Sequence, residues 1–283
     1  MKDYLVLTKP RVVVMVLVTT AVGYYLGSSG ALAWWPLLQG LIGTGLAAAG
    51  TIALNQYMER DVDARMERTR RRPLPQGRIR PLQGLAFGVA ITAGGILYLA
   101  LAVHLVAALL AAATAGSYLF AYTPLKRRTP LSMAVGAVPG GLPPMIGWVA
   151  ARGRIGLEAW VLFAVLFLWQ IPHSLAIARL YREDYARGGI RFLPVVDPDG
   201  RRTGLPVVSH CLALLVVGLV PTLIGLAGGL YFFGALAFGA MFLGYGIHLA
   251  VARSAPAARR LLLASIVYLP AVLVLMALDK LPS

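Results

Sequence analysis

One cysteine, Cys211, is all the thiol this 283-residue chain carries, so an intrachain disulfide and any cysteine-based metal site are excluded. Charge is also scarce. Only 13% of residues are charged and 59% are hydrophobic, whereas soluble domains hold roughly 25% and 45–50%. That composition rules out a soluble globular enzyme. Acidic residues number 11 against 26 lysines and arginines, a formal charge of +15. In a soluble chain this balance would point to nucleic acid; in an apolar one it is first a topology signal, and no nucleic-acid partner is expected. Lysine is rare too: Lys2, Lys9, Lys126 and Lys280 stand against 22 arginines.

What the chain has in abundance is apolar runs of about 20 residues, the length that crosses a bilayer. They fall roughly at 11–27, 37–58, 82–101, 104–123, 133–151, 157–180, 205–227, 230–252 and 260–278. The chain therefore reads as an all-α, polytopic membrane protein with nine transmembrane helices, a single domain over residues 1–283 embedded in membrane lipid. With spans alternating in direction, 23 of the 26 basic residues share one side, and only Arg152, Arg154 and Lys280 lie on the other. The positive-inside rule then places the N-terminus in the cytoplasm and the C-terminus outside. Lys2 and Lys9 before an apolar run, with Ala31-Leu32-Ala33 after it, could be taken for a secretory signal. The run from Val12 to Leu26 is long for one and eight more spans follow, so it reads as the first helix. No Arg- and Ser-rich presequence precedes that span, and no organelle transit peptide is expected.

Nine of the eleven acidic residues fall on the basic side, Asp3 in the N-terminal tail and eight in two long loops at about 59–81 and 181–203. Proline-punctuated and mixed in charge, these loops read as an ordered cytoplasmic cap. The second span ends LNQYMERDVDARMERTRRRPLPQGRIRP, with Asn55, Glu59 and Asp63 four apart. On a helix they form a stripe about 80° wide and about 12 Å long. Oxygen ligands in such a row suit Mg²⁺, which is held by one or two carboxylates and completed by water and substrate phosphates. Arg68, Arg70, Arg71 and Arg72 follow closely, as a diphosphate would require. A solvated helix end laced with ion pairs would read the same way.

In the sixth span, WQIPHSLAIARLYREDYARGGIRFLPVV, Pro172 interrupts the helical pattern and His173 opens the next stretch. Gln170, His173, Ile177, Leu180, Tyr181 and Asp184 fall within about 80° of one another, with His173 about 16 Å deeper than Asp184. An ionisable residue at that depth marks a candidate functional site; a neutral imidazole bonded to backbone freed by Pro172 is the alternative. The fourth span ends SYLFAYTPLKRRTP, placing Tyr122 four residues before Lys126, with Arg127 and Arg128 adjacent. Lys126 could hold phosphate as a point charge or simply anchor the helix end. The fifth span, MAVGAVPGGLPPMIGWVA, carries three prolines and several glycines and cannot be regular, which marks it as a pocket wall. His104, His210 and His248 have no ligand-spaced partner and read as structural.

Asn55-x-x-x-Glu59-x-x-x-Asp63 resembles the first aspartate-rich motif of the UbiA superfamily of intramembrane prenyltransferases, and Tyr122-x-x-x-Lys126 matches its YxxxK element. Met66-x-Arg68-Thr69-x-x-Arg72-Pro73, VPGGLPPMIGW and the PHSLAIARLYREDY segment are similar to the branch of that superfamily that farnesylates heme. The resemblance covers nearly the whole chain. It implies nine helices around a central cavity in a bacterial inner membrane. It implies Mg²⁺-dependent transfer of farnesyl from farnesyl diphosphate to a vinyl group of heme b, giving heme O for downstream heme-modifying or terminal oxidase assembly proteins. Asn55, Glu59, Asp63 and Asp184 would hold the metal. Arg68, Arg72, Lys126 and Arg127 would hold the diphosphate, Tyr181 or Tyr185 would face the allylic cation, and His173 and Tyr185 would face the heme. Three departures stand out: Glu59 replaces an aspartate, the second motif is reduced to Tyr181-Arg182-Glu183-Asp184-Tyr185, and Arg191 stands where proline is expected. A relative acting on an aromatic acceptor such as 4-hydroxybenzoate would share the metal stripe without the PHSLAIARLYREDY segment. A secondary transporter would carry ionisable groups near the bilayer midplane rather than at span ends.

Overall fold

The computed structural model describes residues 2–282. Among them nine helices are long and apolar enough to cross a membrane. They are α1 (Pro10–Gly27), α2 (Trp34–Met58), α3 (Pro81–Ala102), α4 (Leu105–Leu125), α5 (Ser132–Arg152), α6 (Leu157–Leu180), α7 (Gly204–Leu223), α8 (Gly229–Ala252) and α9 (Ala255–Leu278). No strand is formed among the described residues, only an isolated bridge between Ala227 and Lys280. Large apolar side chains such as Leu97, Leu101, Phe233 and Val251 stand exposed on the outside of the bundle, where lipid would cover them.

Small residues let these helices approach closely, the usual device where apolar burial alone cannot drive association in lipid. A Cβ on Gly147 would lie 1.9 Å from the Thr20 carbonyl oxygen, and one on Gly23 would lie 2.0 Å from that of Pro144. Backbone therefore meets backbone where α1 crosses the second half of α5. Gly50 and Gly95 do the same between α2 and α3, where an added Cβ would fall 2.2 Å from Thr92 Oγ1 and 2.4 Å from Ala47 N. On the other side α6 packs against α7 and α9, over a core that includes fully buried Phe242 and Tyr268, stacked at 5.3 Å.

Two spans are irregular. The fifth breaks at Leu142 into Ser132–Gly141 and Pro143–Arg152, as its prolines foretold. The fourth contains a six-residue π-helix, Ser117–Tyr122, which nothing in its composition announces. Such bulges concentrate at functional sites. Pro172 does not interrupt α6, which runs unbroken from Leu157 to Leu180 with the proline inside. The ninth span starts at Ala255 rather than near 260, because Ser254 caps it by accepting from the Ala257 N–H at 3.3 Å.

The basic end of the bundle carries the two long loops. A short N-terminal helix, Lys2–Leu7, lies against the first of them. Leu7 is buried with Ala53, Leu74 and Ile79, its carbonyl accepts from Gln56, and Asp3 pairs with Arg78.

Candidate functional site

The Asn55, Glu59, Asp63 stripe survives in space although the helix beneath it bends. α2 ends at Met58, Glu59 sits at the break (φ −99°, ψ 8°), and Arg60–Asp63 adds one more turn. The Glu59 N–H still donates to the Asn55 carbonyl at 2.9 Å and the Asp63 N–H to the Glu59 carbonyl at 2.7 Å, so the i to i−4 register is kept. Each side chain then finds a partner. Asn55 Nδ2 donates to Glu59 Oε2 at 3.0 Å and to Thr123 Oγ1 at 2.9 Å. Lys126 Nζ reaches the same Glu59 oxygen at 3.0 Å. Arg72 donates to Asp63 Oδ2 at 2.6 Å, and Thr69 Oγ1 donates to the Asp63 carbonyl at 2.8 Å. The cluster is nearly dry: the Lys126 and Glu59 side chains are 9% and 13% exposed.

The π-helix explains how α4 delivers its part. It shifts the register so that Thr123 Oγ1 bonds back to the Tyr118 carbonyl at 2.8 Å while facing Asn55, and it sets both tyrosine rings beside the lysine. Lys126 Nζ lies 4.4 Å from the Tyr122 ring centroid and 5.8 Å from that of Tyr118, within cation–π range. Burial opposes the Lys126 charge, but Tyr122 and Glu59 hold the ammonium protonated, above the usual lysine range.

Lys9 joins this cluster, and sequence reasoning had assigned it only to topology. It is half-buried with a left-handed backbone (φ 46°, ψ 67°) immediately before Pro10, a region disfavoured for a residue with a Cβ and further restricted before proline. Burial, then the charges of Arg72 and Lys126, push it down to about 7, against Asp63 and Glu59. The cluster thus gathers two paired cations, and a lysine that gives up its proton near neutrality, around two carboxylates. The signal in the sequence was its place: a lysine, rare here, directly ahead of the first span.

An apolar cavity of about 210 Å³ lies in the bundle between α1, α2, α4 and α5. Gly136, Pro139, Gly140 and Pro143 form its α5 wall, confirming the pocket-wall reading of that span. Gln170 closes one side, its amide donating to the Leu166 carbonyl at 3.1 Å. Tyr118 lines the cavity and also faces Lys126, so it stands where the apolar and ionic regions meet. The sequence signal for it was one more step of the same spacing, Tyr118, Tyr122, Lys126.

The sixth-helix stripe divides. Gln170 turns toward α5, whereas His173 turns toward α9, its Nδ1 2.7 Å from Ser265 Oγ and its ring stacked on Trp169 at 4.6 Å. The backbone freed at Pro172 is not its partner. Ser265 Oγ also donates to the Leu262 carbonyl at 2.6 Å. A hydroxyl has one hydrogen, so both contacts are satisfied together only when His173 Nδ1 carries a proton; in the neutral ring that leaves Nε2 as a bare lone pair.

Asp184 does not join the stripe. Its Oδ1 accepts from the Glu67 N–H at 2.7 Å and from Arg187 at 2.9 Å, and its Oδ2 from the Arg68 N–H at 3.3 Å. It clamps the second loop onto the first. Burial works against its charge, but Arg187 and the two backbone donors hold the carboxyl below the ordinary range. Arg68 lies over the rings of Tyr181 and Tyr185, at 5.7 and 5.6 Å, rather than beside Asp63, and Tyr181 is 46% exposed. Arg127 is exposed beyond Lys126. The Arg191 N–H donates to the Lys126 carbonyl at 2.7 Å, a bond that proline could not make, so arginine here ties the second loop to the lysine that completes the cluster.

Among the described residues no group of three or more His, Cys, Asp or Glu side chains gathers as a metal site. What gathers is one amide and two carboxylates. Asn55 Oδ1, Glu59 Oε1 and Asp63 Oδ1 all stand outside the hydrogen bonds above. Three hard oxygens beside Arg72 and Lys126, opening on an apolar cavity, suit a divalent ion with an anionic substrate that has a hydrocarbon tail.

Comparison with known proteins agrees with this geometry. Residues 16–269 match the UbiA prenyltransferase family. A protoheme IX farnesyltransferase of Solibacter usitatus is 50% identical, over 99% of both chains, and one from Koribacter versatilis is 42% identical, over 99% of this chain and 94% of that one. Among solved structures, a digeranylgeranylglyceryl phosphate synthase superposes with a TM-score of 0.84 over 98% of this chain and 97% of its own, at 16% identity. A UbiA homolog from Archaeoglobus fulgidus bound to GPP and Mg²⁺ gives 0.66 over 97% and 99%, at 15% identity. With nine membrane-length helices among the described residues, an ionic cluster at the basic end and relatives along the full length, this chain belongs to the UbiA prenyltransferase family.

Proposed function

We propose that the protein transfers the farnesyl group of farnesyl diphosphate to a vinyl group of heme b, giving heme O, with Mg²⁺ at the Asn55, Glu59, Asp63 stripe. The observation that carries this reading is the full-length 50% identity to a protoheme IX farnesyltransferase, joined to a cluster whose donors fit the reaction. Bound there, Mg²⁺ would neutralise charge on the leaving diphosphate. Arg72 and Lys126 would take the same anion, giving up Asp63 and Glu59 to do so, and Lys9 would become a third cation by taking up a proton when the anion binds. Such pre-placed charges, in a site from which water is largely excluded, are a main source of catalytic stabilisation.

The bonds balance as follows. The terminal vinyl carbon attacks C1 of the farnesyl chain as the C1–O bond breaks, and its electron pair leaves with the diphosphate. The cation left on the inner vinyl carbon takes oxygen from water, whose proton passes to solvent. Tyr118, at the boundary of the apolar cavity and the ionic cluster, presents its ring to the allylic cation; Tyr181 and Tyr185 face Arg68 instead. His173 Nε2 would face the heme iron. Asp184 acts by holding the two loops together as one cap. The nine helices and both loops work as a single catalytic domain in the bacterial inner membrane, N-terminus in the cytoplasm, and the product passes to proteins that modify heme or assemble terminal oxidases.

Expression in a bacterium lacking its own heme farnesylation tests the reading. Membranes from that strain should yield heme O on extraction. A prenylated quinone or other aromatic product, with heme b untouched, would refute it.

A further inference from the structure

A second recess, of about 660 Å³, opens at the basic end, away from the Asn55 cluster, where α6 and α9 emerge. Its walls carry Arg68, Arg179, Arg182, Arg187 and Arg253 against the carboxylates of Glu67, Glu183 and Asp184. The buried carboxylate, Asp184, is already satisfied by Arg187 and two backbone N–H groups, while Glu67 and Glu183, 68% and 81% exposed, form only loose solvent-facing pairs with Arg187 at 3.8 Å and Arg182 at 4.0 Å. Five guanidinium groups against three carboxylates leave the lining with an excess of positive charge. Guanidinium forks match carboxylates in shape as well as charge.

The recess is built rather than incidental. Arg179 donates to the Pro198 carbonyl and, at 2.6 Å, to the Arg253 carbonyl, and Arg182 reaches the same Pro198 oxygen at 3.2 Å. Arg179 is thus a brace between two rims. Arg253 ends α8 in the left-handed region (φ 49°, ψ 24°), a position where glycine is the default because it has no Cβ to clash. Lys9 and Arg253 are the only non-glycine residues of positive φ among those described. Both are cations at the basic end, and one belongs to the ionic cluster already described.

The recess also lies in line with His173. Leu180 and Ala255 line it, and the His173–Ser265 contact sits on the same two helices, seven residues deeper on α6 and ten deeper on α9. At 1.5 Å per residue that is about 10–15 Å below. One helix seam therefore carries a cationic mouth and, beneath it, an imidazole with a bare Nε2.

We propose that this recess binds the two propionate carboxylates of the porphyrin acceptor, with Arg182 and Arg253 as the contacting cations and Arg179 as the brace. The inference rests on the heme reading above and deepens it. Protoporphyrin carries its carboxylates on one edge and its vinyl groups on the other, so holding the acid edge at the mouth directs the vinyl edge into the bundle.

The test compares heme b with its dimethyl ester, each titrated into the full-length protein in lipid nanodiscs and followed by Soret absorbance. Two variants are used. Arg182→Gln removes an exposed cation, and Arg253→Gly removes the other while supplying the residue its backbone favours. Wild type should bind the diacid at least roughly tenfold more tightly than the diester, the size of a charge-assisted contact. Each variant should lose most of that preference, with diester and farnesyl diphosphate affinities unchanged. Equal wild-type affinity for acid and ester overturns the assignment. So do variants that weaken both porphyrins alike, or that weaken farnesyl diphosphate or anionic lipid instead. If wild type converts heme b but does not prefer the acid, the recess fails and the reaction stands. If it prefers the acid but forms no farnesylated heme, the reaction fails and the recess stands.

Discussion

Lys126→Met separates a structural ion pair from a substrate-binding one. The lysine is paired with Glu59 at 3.0 Å in a nearly dry cluster, so its removal leaves a carboxylate with only Asn55 Nδ2 as partner. Stranding one partner of a buried pair costs about 3–5 kcal/mol, which thermal unfolding in detergent would register as a large loss of stability. The same lysine is assigned to the diphosphate, and a charge-assisted hydrogen bond is worth about 1.5–3 kcal/mol, so farnesyl diphosphate affinity should fall roughly 10- to 150-fold. The deciding variant is the double one, Lys126→Met with Glu59→Gln. Neutralising both members of a buried pair is often close to neutral for stability, so most of the lost stability should return. Turnover should not return, because the cation and the proposed metal ligand are both gone. If activity recovers in step with stability, the pair is a fold element and the diphosphate assignment fails.

Asp63→Asn should reduce turnover at least roughly 100-fold, since it weakens the proposed metal ligand, which also anchors Arg72, while helix content and membrane insertion stay as in wild type; near-normal activity would remove the stripe from the mechanism. His173→Ala should weaken heme binding and shift its Soret band with farnesyl diphosphate binding unchanged, and Ser265→Ala should do the same more mildly by freeing the imidazole tautomer; an unchanged spectrum and affinity would leave His173 a packing residue. The Asp184 clamp sets an acid limit: its carboxyl is held below the ordinary range, so the stability it contributes is present above about pH 4 and lost only as pH falls through its lower folded value. Limited proteolysis should leave residues 181–203 protected at pH 5 and expose them only once the pH falls through the lowered Asp184 value, and cleavage already at pH 5 would contradict the clamp.

Much of this was legible in the sequence because a bilayer imposes few solutions. Span number and approximate bounds follow from apolar length, and the motif ends follow from where the charges cluster. The Asn55, Glu59, Asp63 row was readable because four-residue spacing fixes a helical face, and the face persists through the break at Glu59. What stayed hidden depends on contacts distant in sequence. The π-helix at Ser117–Tyr122 leaves no compositional trace. Neither Lys9 nor Ser265 is near its partners along the chain. Asp184 has the composition of a metal ligand, and only the fold reveals that the Glu67 and Arg68 N–H groups and Arg187 occupy its oxygens. Helical periodicity carried past the end of α6 made Gln170, His173 and Asp184 look like one face, although each turns to a different neighbour.

The most direct measurement is the mass of the heme recovered after purified protein is incubated with heme b, farnesyl diphosphate and Mg²⁺. The account predicts a product heavier than heme b by one farnesyl group and one hydroxyl, absent when the metal is chelated and absent in Asp63→Asn. Heme b recovered unchanged from active, folded protein, with the farnesyl group on another acceptor, would contradict it.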